Sequence, residues 1–365
     1  MDNSQIDINT EFINDFPYPQ EKKDNYNWNI ISVSKVNENK RSVFSGINKQ
    51  DKNDCIYVKK IKLDFSYDKK IDNIQILREI YFLVLLKNQK YFVQLDDILT
   101  HNEYKYLYLI FKGNCVSLNK LINYNVNDYL SNKDLIKWII YQITYALYVL
   151  HNNNIIHNDI KPSNILIDEN AVITVCDFGS AVYKQEDSYS YTRYYAPPEF
   201  LNNNNNINRD EASDMWALGI IIIELHLKIN GYFKSNSEDR SNEKQLKIIL
   251  SKFGINENIQ KEEINKLIDD DSNSYKYQLT NEEIEKIKDN DAIELIQNLL
   301  VLNPQKRMSA KQVLMSKYLD CKLFKNIDSF DIKQIQKPID PEKLNNIINI
   351  QQFIDLITNL RSIMK

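Results

Sequence analysis

One short stretch of this chain concentrates side chains that could carry out chemistry. Residues 157–164 read His-Asn-Asp-Ile-Lys-Pro-Ser-Asn, and Asp-Phe-Gly follows at 177–179. Together they offer two carboxylates, one ammonium and one amide, on Asp159, Asp177, Lys161 and Asn164. Phosphoryl transfer needs a carboxylate to orient an attacking hydroxyl, a cation to neutralise the moving group, and oxygen ligands for magnesium. These residues could supply that chemistry, with Asn164 and Asp177 as the Mg2+ ligands.

The order and spacing of the two motifs resemble the catalytic and metal loops of eukaryotic protein kinases, H-R-D-x-K-x-x-N and D-F-G. The resemblance implies that Asp159 and Lys161 are catalytic and that ATP is the phosphoryl donor. Lys-Pro-Ser-Asn at 161–164 is the serine/threonine form of this loop. His157 is expected to be a structural imidazole packed near the Asp-Phe-Gly turn.

The composition of the chain argues against several classes of protein. A net charge of −4 and a pI near 5.8 offer no basic surface for nucleic acid or membranes. The four cysteines lack metal-ligand spacing, and the longest aliphatic run, residues 219–225, is too short to span a bilayer. The N-terminus has no apolar signal core. We therefore expect a cytoplasmic or nuclear chain that binds neither nucleic acid nor membrane.

Hydrophobic periodicity predicts the elements that must position the site. Five β-rich runs predict strands at 28–33, 42–47, 55–61, 92–99 and 106–111. Helical spacing predicts helices at 71–86, at 133–152 and near 347–363.

Five strands interrupted by one helix resemble the small lobe of a protein kinase. The resemblance implies an α+β, bilobal, protein-kinase-like fold with a small five-stranded β lobe, one main helix in it, and a larger, mostly α-helical lobe. At 365 residues the chain is long enough for two such lobes. The expected parts are a flexible leader at 1–25, a kinase domain at 26–320 (small lobe 26–112, large lobe 115–320), and a helical tail at 321–365.

The resemblance also assigns roles within the small lobe. Lys59, in Ile-Tyr-Val-Lys-Lys-Ile, matches the lysine that contacts the α- and β-phosphates of ATP, and Glu79, in Leu-Arg-Glu-Ile, matches its helix partner. Residues 107–114 resemble the last strand and the hinge, with Phe111 in the gatekeeper place. The implied ATP contacts are Val36, Val43, Lys59, Phe111, Lys112, Asn114 and Leu166.

The loop that should cover the phosphates departs from the family pattern, G-x-G-x-x-G-x-V. Counting back from Val43 puts Val36, Glu38 and Arg41 at the three glycine positions. Glycine serves there because backbone N–H groups can approach the phosphates where no side chain intervenes. No glycine lies between residues 1 and 45, so we expect weak ATP binding.

Residues 191–199, Tyr-Thr-Arg-Tyr-Tyr-Ala-Pro-Pro-Glu, resemble the T-R-x-Y-R-A-P-E segment of the group that contains cyclin-dependent, mitogen-activated and glycogen synthase kinases. Ala196 replaces the arginine and Pro197 the alanine. Thr192 is implied to hydrogen-bond the catalytic aspartate. Upstream, Asn158 stands where the family has an arginine that binds a phosphate on this segment, so we expect activity without such a phosphate. Glu186 and Asp187 could supply negative charge in its place, and Tyr189 lies near a place where related kinases are phosphorylated.

Two scaffold motifs extend the resemblance to about residue 320. Residues 213–219 resemble the helix start whose aspartate, Asp214, fastens the catalytic loop. Residues 302–310 match the segment whose arginine, Arg307, pairs with Glu199.

Residues 243–254 resemble the insert helix of the same kinase group. Together with Leu-Arg-Glu-Ile at 77–80, they favour a relative that is similar to cyclin-dependent kinases. The partners implied are a protein substrate and a cyclin-like or other regulatory subunit.

The sequence is compatible with three functions. The leading hypothesis is a serine/threonine protein kinase that transfers the γ-phosphoryl group of ATP, with Mg2+, to protein hydroxyls. The glycine-free loop and Asn158 favour a pseudokinase that acts as an interaction or regulatory scaffold instead. A small-molecule kinase of related fold is the third, and it would not need the scaffold residues Glu199, Asp214 and Arg307.

Overall fold

The structure is a computed structural model. It describes residues 28–36, 41–48, 55–64, 70–101, 106–113, 115–124, 126–184, 186, 191–202, 210–234, 239, 241–256, 258–270, 272, 275–320, 335–338, 340 and 350–364. Within these ranges, it describes only the backbone at 28–36, 41–42, 44–48, 55, 70–72, 101, 126–128, 261 and 350. The predicted leader lies outside the described residues.

Strands and helices alternate along the described part of the chain. The strands are β1 (Trp28–Val36), β2 (Arg41–Asn48), β3 (Cys55–Lys62), β4 (Leu95–His101), β5 (Tyr106–Lys112), β6 (Val116–Ser117), β7 (Ile155–Ile156), β8 (Ile165–Ile167), β9 (Ile173–Val175) and β10 (Val182–Tyr183). The helices are α1 (Lys70–Leu85), α2 (Leu118–Tyr124), α3 (Lys133–Asn152), α4 (Pro198–Leu201), α5 (Ala212–Leu227), α6 (Asn242–Ser251), α7 (Lys261–Ile268), α8 (Asn281–Ile287), α9 (Asn290–Leu299), α10 (Ala310–Leu314) and α11 (Ile350–Met364).

The chain forms two compact units, and unit one contains the larger sheet. It comprises residues 1–73, 94–114 and 347–365. Its strands form an antiparallel sheet in the order β1-β2-β3-β5-β4. On β3, Ile56 and Val58 are buried while Tyr57 and Lys59 are half-exposed, because successive side chains point to opposite faces of a sheet.

The C-terminal helix α11 belongs to unit one and packs against β4. Its buried residues recur every three or four positions: Phe353, Ile357, Leu360 and Met364. Beside this stripe, Arg361 donates through Nε and Nη2 to the two carboxylate oxygens of Asp97 on β4, at 2.6 and 2.8 Å. The bidentate pair sets the position of the helix on the strand.

Unit two comprises residues 74–93 and 115–346, and its described part is mostly helical. Its centre is the pair α3 and α5, against which α10 and α9 pack respectively. Asn132 caps α3 by accepting from the backbone N–H groups of Asp134 and Leu135. Gly219 lets α5 approach α9, since a Cβ there would lie 2.9 Å from Leu300 Cδ2.

The predicted α+β fold class, with a small β-sheet lobe and a larger helical lobe, is confirmed. The predicted strand at 92–99 begins only at Leu95. Residues before it pair elsewhere: Val93 N–H donates to Val175 O at 3.0 Å, and Val175 N–H donates to Tyr91 O at 2.8 Å. No helix in the described ranges combines the length and apolar character that a membrane crossing needs.

The two units divide the chain differently from the predicted lobes. Residues 74–93 belong to unit two, and residues 347–365 belong to unit one. For α1 the reason is aromatic packing, because Tyr81 and Phe82 lie against Tyr183 with ring centroids 6.3 and 5.5 Å apart. The domain limits proposed from the sequence remain predictions.

Candidate active site

Helix α5 holds the loop that carries Asp159 in place. Asp214, near the start of that helix and 1% exposed, accepts the backbone N–H of Asn158 at Oδ1 and of His157 at Oδ2, both at 2.9 Å. His151 Nε2 lies 3.0 Å from the same Oδ2 atom. Asn158 has a positive φ of 61°, a conformation that asparagine tolerates better than most side chains. These contacts set the path of the loop just before Asp159.

His157 is a buried structural imidazole by its contacts. The Asp159 N–H donates to His157 Nδ1 at 3.3 Å, so Nε2 carries the proton and donates to Cys176 O at 3.1 Å. Its ring centroid lies 5.0 Å from that of Phe178. The imidazole thus joins the loop at 157–164 to the Asp-Phe-Gly turn.

The Asp159 carboxylate is the centre of a polar cluster. Thr192 Oγ1 donates to Oδ1 at 2.5 Å, and Lys161 Nζ donates to Oδ2 at 2.6 Å and to Thr192 Oγ1 at 2.7 Å. Asn164 Nδ2 donates to Oδ2 at 3.0 Å and to the Asp159 carbonyl at 2.9 Å. Charge-assisted bonds of this kind orient a carboxylate firmly. With 11% of its side chain exposed, Asp159 remains accessible to a hydroxyl group.

Asn164 and Asp177, the predicted magnesium ligands, lie on adjacent strand ends. The Cys176 N–H donates to Asn164 O at 2.9 Å, which brings the residue before Asp177 against Asn164. Asp177 has a positive φ of 63° and is followed by Phe178, which is fully buried. Such left-handed backbone is uncommon outside glycine and concentrates at functional sites.

This donor set fits a hard divalent cation. Because the Asn164 amide nitrogen donates to Asp159, its Oδ1 is turned away from that carboxylate. An amide oxygen and a carboxylate are both ligands that Mg2+ accepts. Groups of three or more His, Cys, Asp or Glu suited to a metal do not occur among the described residues, so a cation here would need ligands from phosphate or water.

In unit one, three of the predicted ATP contacts share a face of the sheet. Val43 on β2 is the cross-strand partner of Lys59 on β3, and Tyr57, two residues before Lys59, is the partner of Phe111 on β5. Directly opposed residues point to the same face, so Val43, Lys59 and Phe111 lie together. All three are half-exposed. The face therefore presents two apolar side chains and one ammonium.

The other predicted ATP contacts are distributed differently. Lys112 is exposed, and its Nζ lies 3.2 Å from Asp96 Oδ1. Leu166 is half-buried on β8 in unit two. The side chains of Val36 and Arg41, and residues 37–40 and 114 entirely, lie outside the described residues. The structure does place the end of β1 at Val36 and the start of β2 at Arg41, which puts the predicted phosphate loop between paired strands.

Glu79 is buried on α1, with 2% of its surface exposed. It belongs to unit two, whereas Lys59 belongs to unit one. The ion pair between them remains a prediction.

A buried ion pair holds the end of the 191–199 segment. Arg307 Nη1 and Nη2 donate to Glu199 Oε1 and Oε2 at 2.6 and 2.7 Å. The guanidinium also donates to the carbonyls of Val301, Ala212 and Leu302, at 2.8, 3.2 and 3.2 Å. This pair, like the contact of Asp214 with the loop, is the one that the resemblance implies.

The start of the segment after Asp-Phe-Gly is joined to neighbouring elements by hydrogen bonds and an ion pair. Asn158 Nδ2 donates to Ser180 O at 3.2 Å. Arg78 on α1 forms an ion pair with Glu186 at 3.6 Å, and the hydroxyls of Tyr81 and Tyr183 are 3.1 Å apart. Residues 187 and 189 lie outside the described residues.

Sequence reasoning missed one carboxylate near this site, Glu224 on α5. It is fully buried, and it accepts hydrogen bonds from the hydroxyl of Tyr195 and from the backbone N–H groups of Gly231 and Tyr232. Burial raises the pKa of Glu224 to about 7, although these hydrogen bonds oppose the shift. One feature of the sequence could have revealed this residue, because Glu224 is an acidic residue inside the apolar run 219–225.

Comparison with known proteins shows which family of proteins the chain matches. The family model described as "Protein kinase domain" matches residues 39–319. "Mitogen-activated protein kinase 6" of Arabidopsis thaliana is 29% identical over 281 residues, which cover 73% of this chain and 67% of that protein. "Mitogen-activated protein kinase 2" of the same plant is 29% identical over 292 residues, covering 76% and 73%. "Mitogen-activated protein kinase HOG1" of Cochliobolus heterostrophus is 29% identical over 274 residues, covering 73% and 72%.

These relatives are mitogen-activated kinases, which are one branch of the kinase group that the 191–199 segment resembles. A closer likeness to cyclin-dependent kinases, which the insert segment at 243–254 favours, remains a prediction.

Proposed function

Since the chain belongs to the protein kinase family, of the serine/threonine type, we propose that it is catalytically active. It would transfer the γ-phosphoryl group of ATP to serine or threonine hydroxyls of protein substrates. The observation that carries the proposal is the complete polar cluster around Asp159, in which Lys161, Asn164 and Thr192 all contact one accessible carboxylate. A scaffold that had lost catalysis would have no need to keep that cluster.

The proposed roles follow from these contacts. Asp159 orients the attacking hydroxyl and accepts its proton. Thr192 holds the carboxylate and the substrate-binding segment in fixed positions relative to each other. Lys161, which bridges Asp159 and Thr192, supplies positive charge where the phosphoryl group passes.

Asn164 and Asp177 would hold Mg2+. Bound there, magnesium would neutralise charge on the phosphates and align them. In unit one, Lys59 would contact the α- and β-phosphates, on a sheet face that it shares with Val43 and Phe111.

We also propose that activity does not require a phosphate on the segment after Asp-Phe-Gly. The Asn158 amide already donates to Ser180, and the Glu186 carboxylate already pairs with Arg78. A phosphate would otherwise provide that negative charge. Treatment with a phosphatase should therefore leave transfer unchanged.

A pseudokinase is the second candidate, and one observation favours it. The chain between β1 and β2 has no glycine, so side chains would keep its backbone N–H groups away from the phosphates. In that case the protein would act as an interaction or regulatory scaffold. A cyclin-like or other regulatory subunit, and the choice between cytoplasm and nucleus, also remain predictions.

The test is transfer of labelled phosphate from ATP with Mg2+ to a generic basic protein. Asp159→Asn removes the proposed base, whereas Asp134→Asn makes the same change at an exposed position on α3 and serves as the matched control. Incorporation by the wild type and by Asp134→Asn, but not by Asp159→Asn, would establish the kinase. If the wild type transfers nothing, stabilisation by ATP would distinguish a silent nucleotide binder from a scaffold that binds none.

A further inference from the structure

Two consecutive residues in front of the proposed base hold the turn that carries Asp177. His157 Nε2 donates to Cys176 O, one residue before Asp177, at 3.1 Å. Asn158 Nδ2 donates to Ser180 O, three residues after Asp177, at 3.2 Å. The two accepting carbonyls thus lie on either side of the predicted magnesium ligand. Both bonds join the turn to the loop that carries the base.

The Asn158 side chain starts from a fixed position. Its backbone N–H donates to Asp214 Oδ1 at 2.9 Å, and Asp214 is fully buried. Asn158 is itself buried, and its φ of 61° lies in the left-handed region, where asparagine occurs more often than most side chains. Because its backbone is held and its side chain is buried, the amide is a rigid support for the turn.

The turn after Asp177 is short and needs support from outside. A single 3-10 turn at Phe178–Ser180 is closed by the bond from the Ala181 N–H to Phe178 O, at 3.1 Å. Asp177 itself has a φ of 63°, in a region that costs free energy for residues other than glycine. Because one hydrogen bond does not stabilise an isolated turn, the position of Asp177 depends on other contacts. The buried Phe178 side chain is one of them, and the Asn158 amide is another.

We propose that Asn158 is a positioning residue that, together with His157, holds the Asp-Phe-Gly turn against the loop at 157–164 and so keeps the Asp177 carboxylate in place for magnesium. The inference rests on the proposed kinase function for its consequence in magnesium binding. The restraint of the turn does not depend on that function.

This support needs no modification of the chain. Asn158 replaces the arginine of the family pattern, for which the resemblance implies a phosphate as the partner. The Asn158 amide instead donates to the backbone carbonyl of Ser180. The bond therefore exists before any phosphate is added to the segment after Asp-Phe-Gly.

Two variants at Asn158 separate the hydrogen bond from the bulk of the side chain. Asn158→Gly removes the amide, and glycine adopts a positive φ without strain. Asn158→Asp keeps the size of the side chain and tolerates the same backbone, but when ionised at pH 8 it presents only acceptors to Ser180 O. We expect both variants to fold, because the contacts of His157 and Phe178 with the turn and the core remain.

Asn154→Gly and Asn154→Asp are the matched controls. Asn154 also has a positive φ, 57°, so the same substitutions act on the same kind of backbone. Its side chain, unlike that of Asn158, is exposed. The controls should keep the exchange rates and the nucleotide binding of the wild type.

Hydrogen–deuterium exchange at pH 8, without nucleotide or metal, measures the restraint directly. Loss of one hydrogen bond between neutral groups should make the amides at 178–181 exchange about fivefold faster in both Asn158 variants. Exchange in α9 should not change. Equal acceleration in α9 would show a general loss of stability and overturn the proposal. Unchanged exchange at 178–181 in both variants, or the same acceleration in the Asn154 controls, would also overturn it.

Calorimetry of nucleotide binding, with and without Mg2+, tests the consequence for the metal. The ratio of the two affinities should fall by up to about fivefold in Asn158→Gly, because fewer molecules hold Asp177 in the binding position. A merely structural Asn158 would lower the fraction of folded protein and leave this ratio unchanged, and that result would refute the positioning role. If the wild type binds no nucleotide, the kinase proposal fails, and hydrogen exchange still decides whether Asn158 restrains the turn.

Discussion

The buried pair between Arg307 and Glu199 allows a sharp test of what this scaffold contributes. Glu199→Gln keeps the size and shape of the side chain and removes its charge. One guanidinium N–H would then face an amide NH2 group instead of a carboxylate oxygen. The Arg307 side chain is fully buried, so its positive charge would remain in the interior without the counter-charge.

The expected loss in the free energy of unfolding is about 3 kcal/mol, at the lower end of the range for breaking one partner of a buried pair. The lower end applies because the Arg307 guanidinium keeps its other contacts. It still donates to the carbonyls of Val301, Ala212 and Leu302. It also remains 4.9 Å from the ring centroid of Trp216.

Glu211→Gln is the matched control, because the same substitution at this position breaks a solvent-exposed ion pair. Lys184 Nζ lies 2.8 Å from Glu211 Oε2, but the two side chains are 40% and 27% exposed. Exposed pairs contribute about 0–1 kcal/mol, and salt screens them. Replacement of Glu211 should therefore cost at most about 1 kcal/mol.

The assay is urea denaturation followed by circular dichroism, at low and at high salt. Glu199→Gln should lose about 3 kcal/mol at both salt concentrations, whereas any loss in Glu211→Gln should shrink as salt rises. If the two variants lose equal stability, or if salt removes the loss in Glu199→Gln, burial does not make the Arg307 pair strong and the reasoning is wrong.

Three further predictions concern the metal, the phosphate loop and pH. Asp177→Ala should abolish Mg2+-dependent nucleotide binding, measured by calorimetry, and leave the circular dichroism spectrum intact; unchanged affinity would contradict the metal role. Glu38→Gly should tighten ATP binding if that side chain obstructs the phosphates, and equal affinity would place the loop elsewhere. Burial lowers the pKa of His226 from 6.5 to about 4. The neutral imidazole therefore makes its full contribution to the free energy of unfolding above about pH 6.5, and this contribution is lost as the pH falls towards 4. Urea titrations at pH 7 and pH 4 should show the wild type losing about 3 kcal/mol more than His226→Gln, and equal losses would show that His226 does not titrate in this range.

Local patterns in the sequence were sufficient to predict the five strands of the larger sheet and three of the helices. The helix predicted at 133–152 is present as Lys133–Asn152, because its apolar stripe and its Asn132 cap are both local signals. The strand predicted from residue 92 was wrong at its start. Tyr91 and Val93 satisfy their backbone groups with Val175, a partner more than 80 residues away that no local pattern reveals.

The types and spacing of residues 157–164 and 177–179 were likewise sufficient to predict a kinase, because phosphoryl transfer demands few kinds of side chain. The family match confirms the kinase family, and the roles of the individual residues stay predictions. The resemblance also implied two partners that are far apart in the chain, and the structure shows both contacts. Thr192 reaches Asp159 across 33 residues, and Arg307 reaches Glu199 across 108.

The sequence by itself thus determined the fold class and the main elements of the β lobe, and it supplied the candidate catalytic residues as a prediction, since these depend on short-range periodicity and on which functional groups are present. Only the tertiary structure decided which further groups meet and how deeply each one is buried. Glu224 shows the physical reason most clearly. Its ionisation depends on burial and on donors brought to it by the turn at 193–195 and the loop at 231–232, and both are products of the fold.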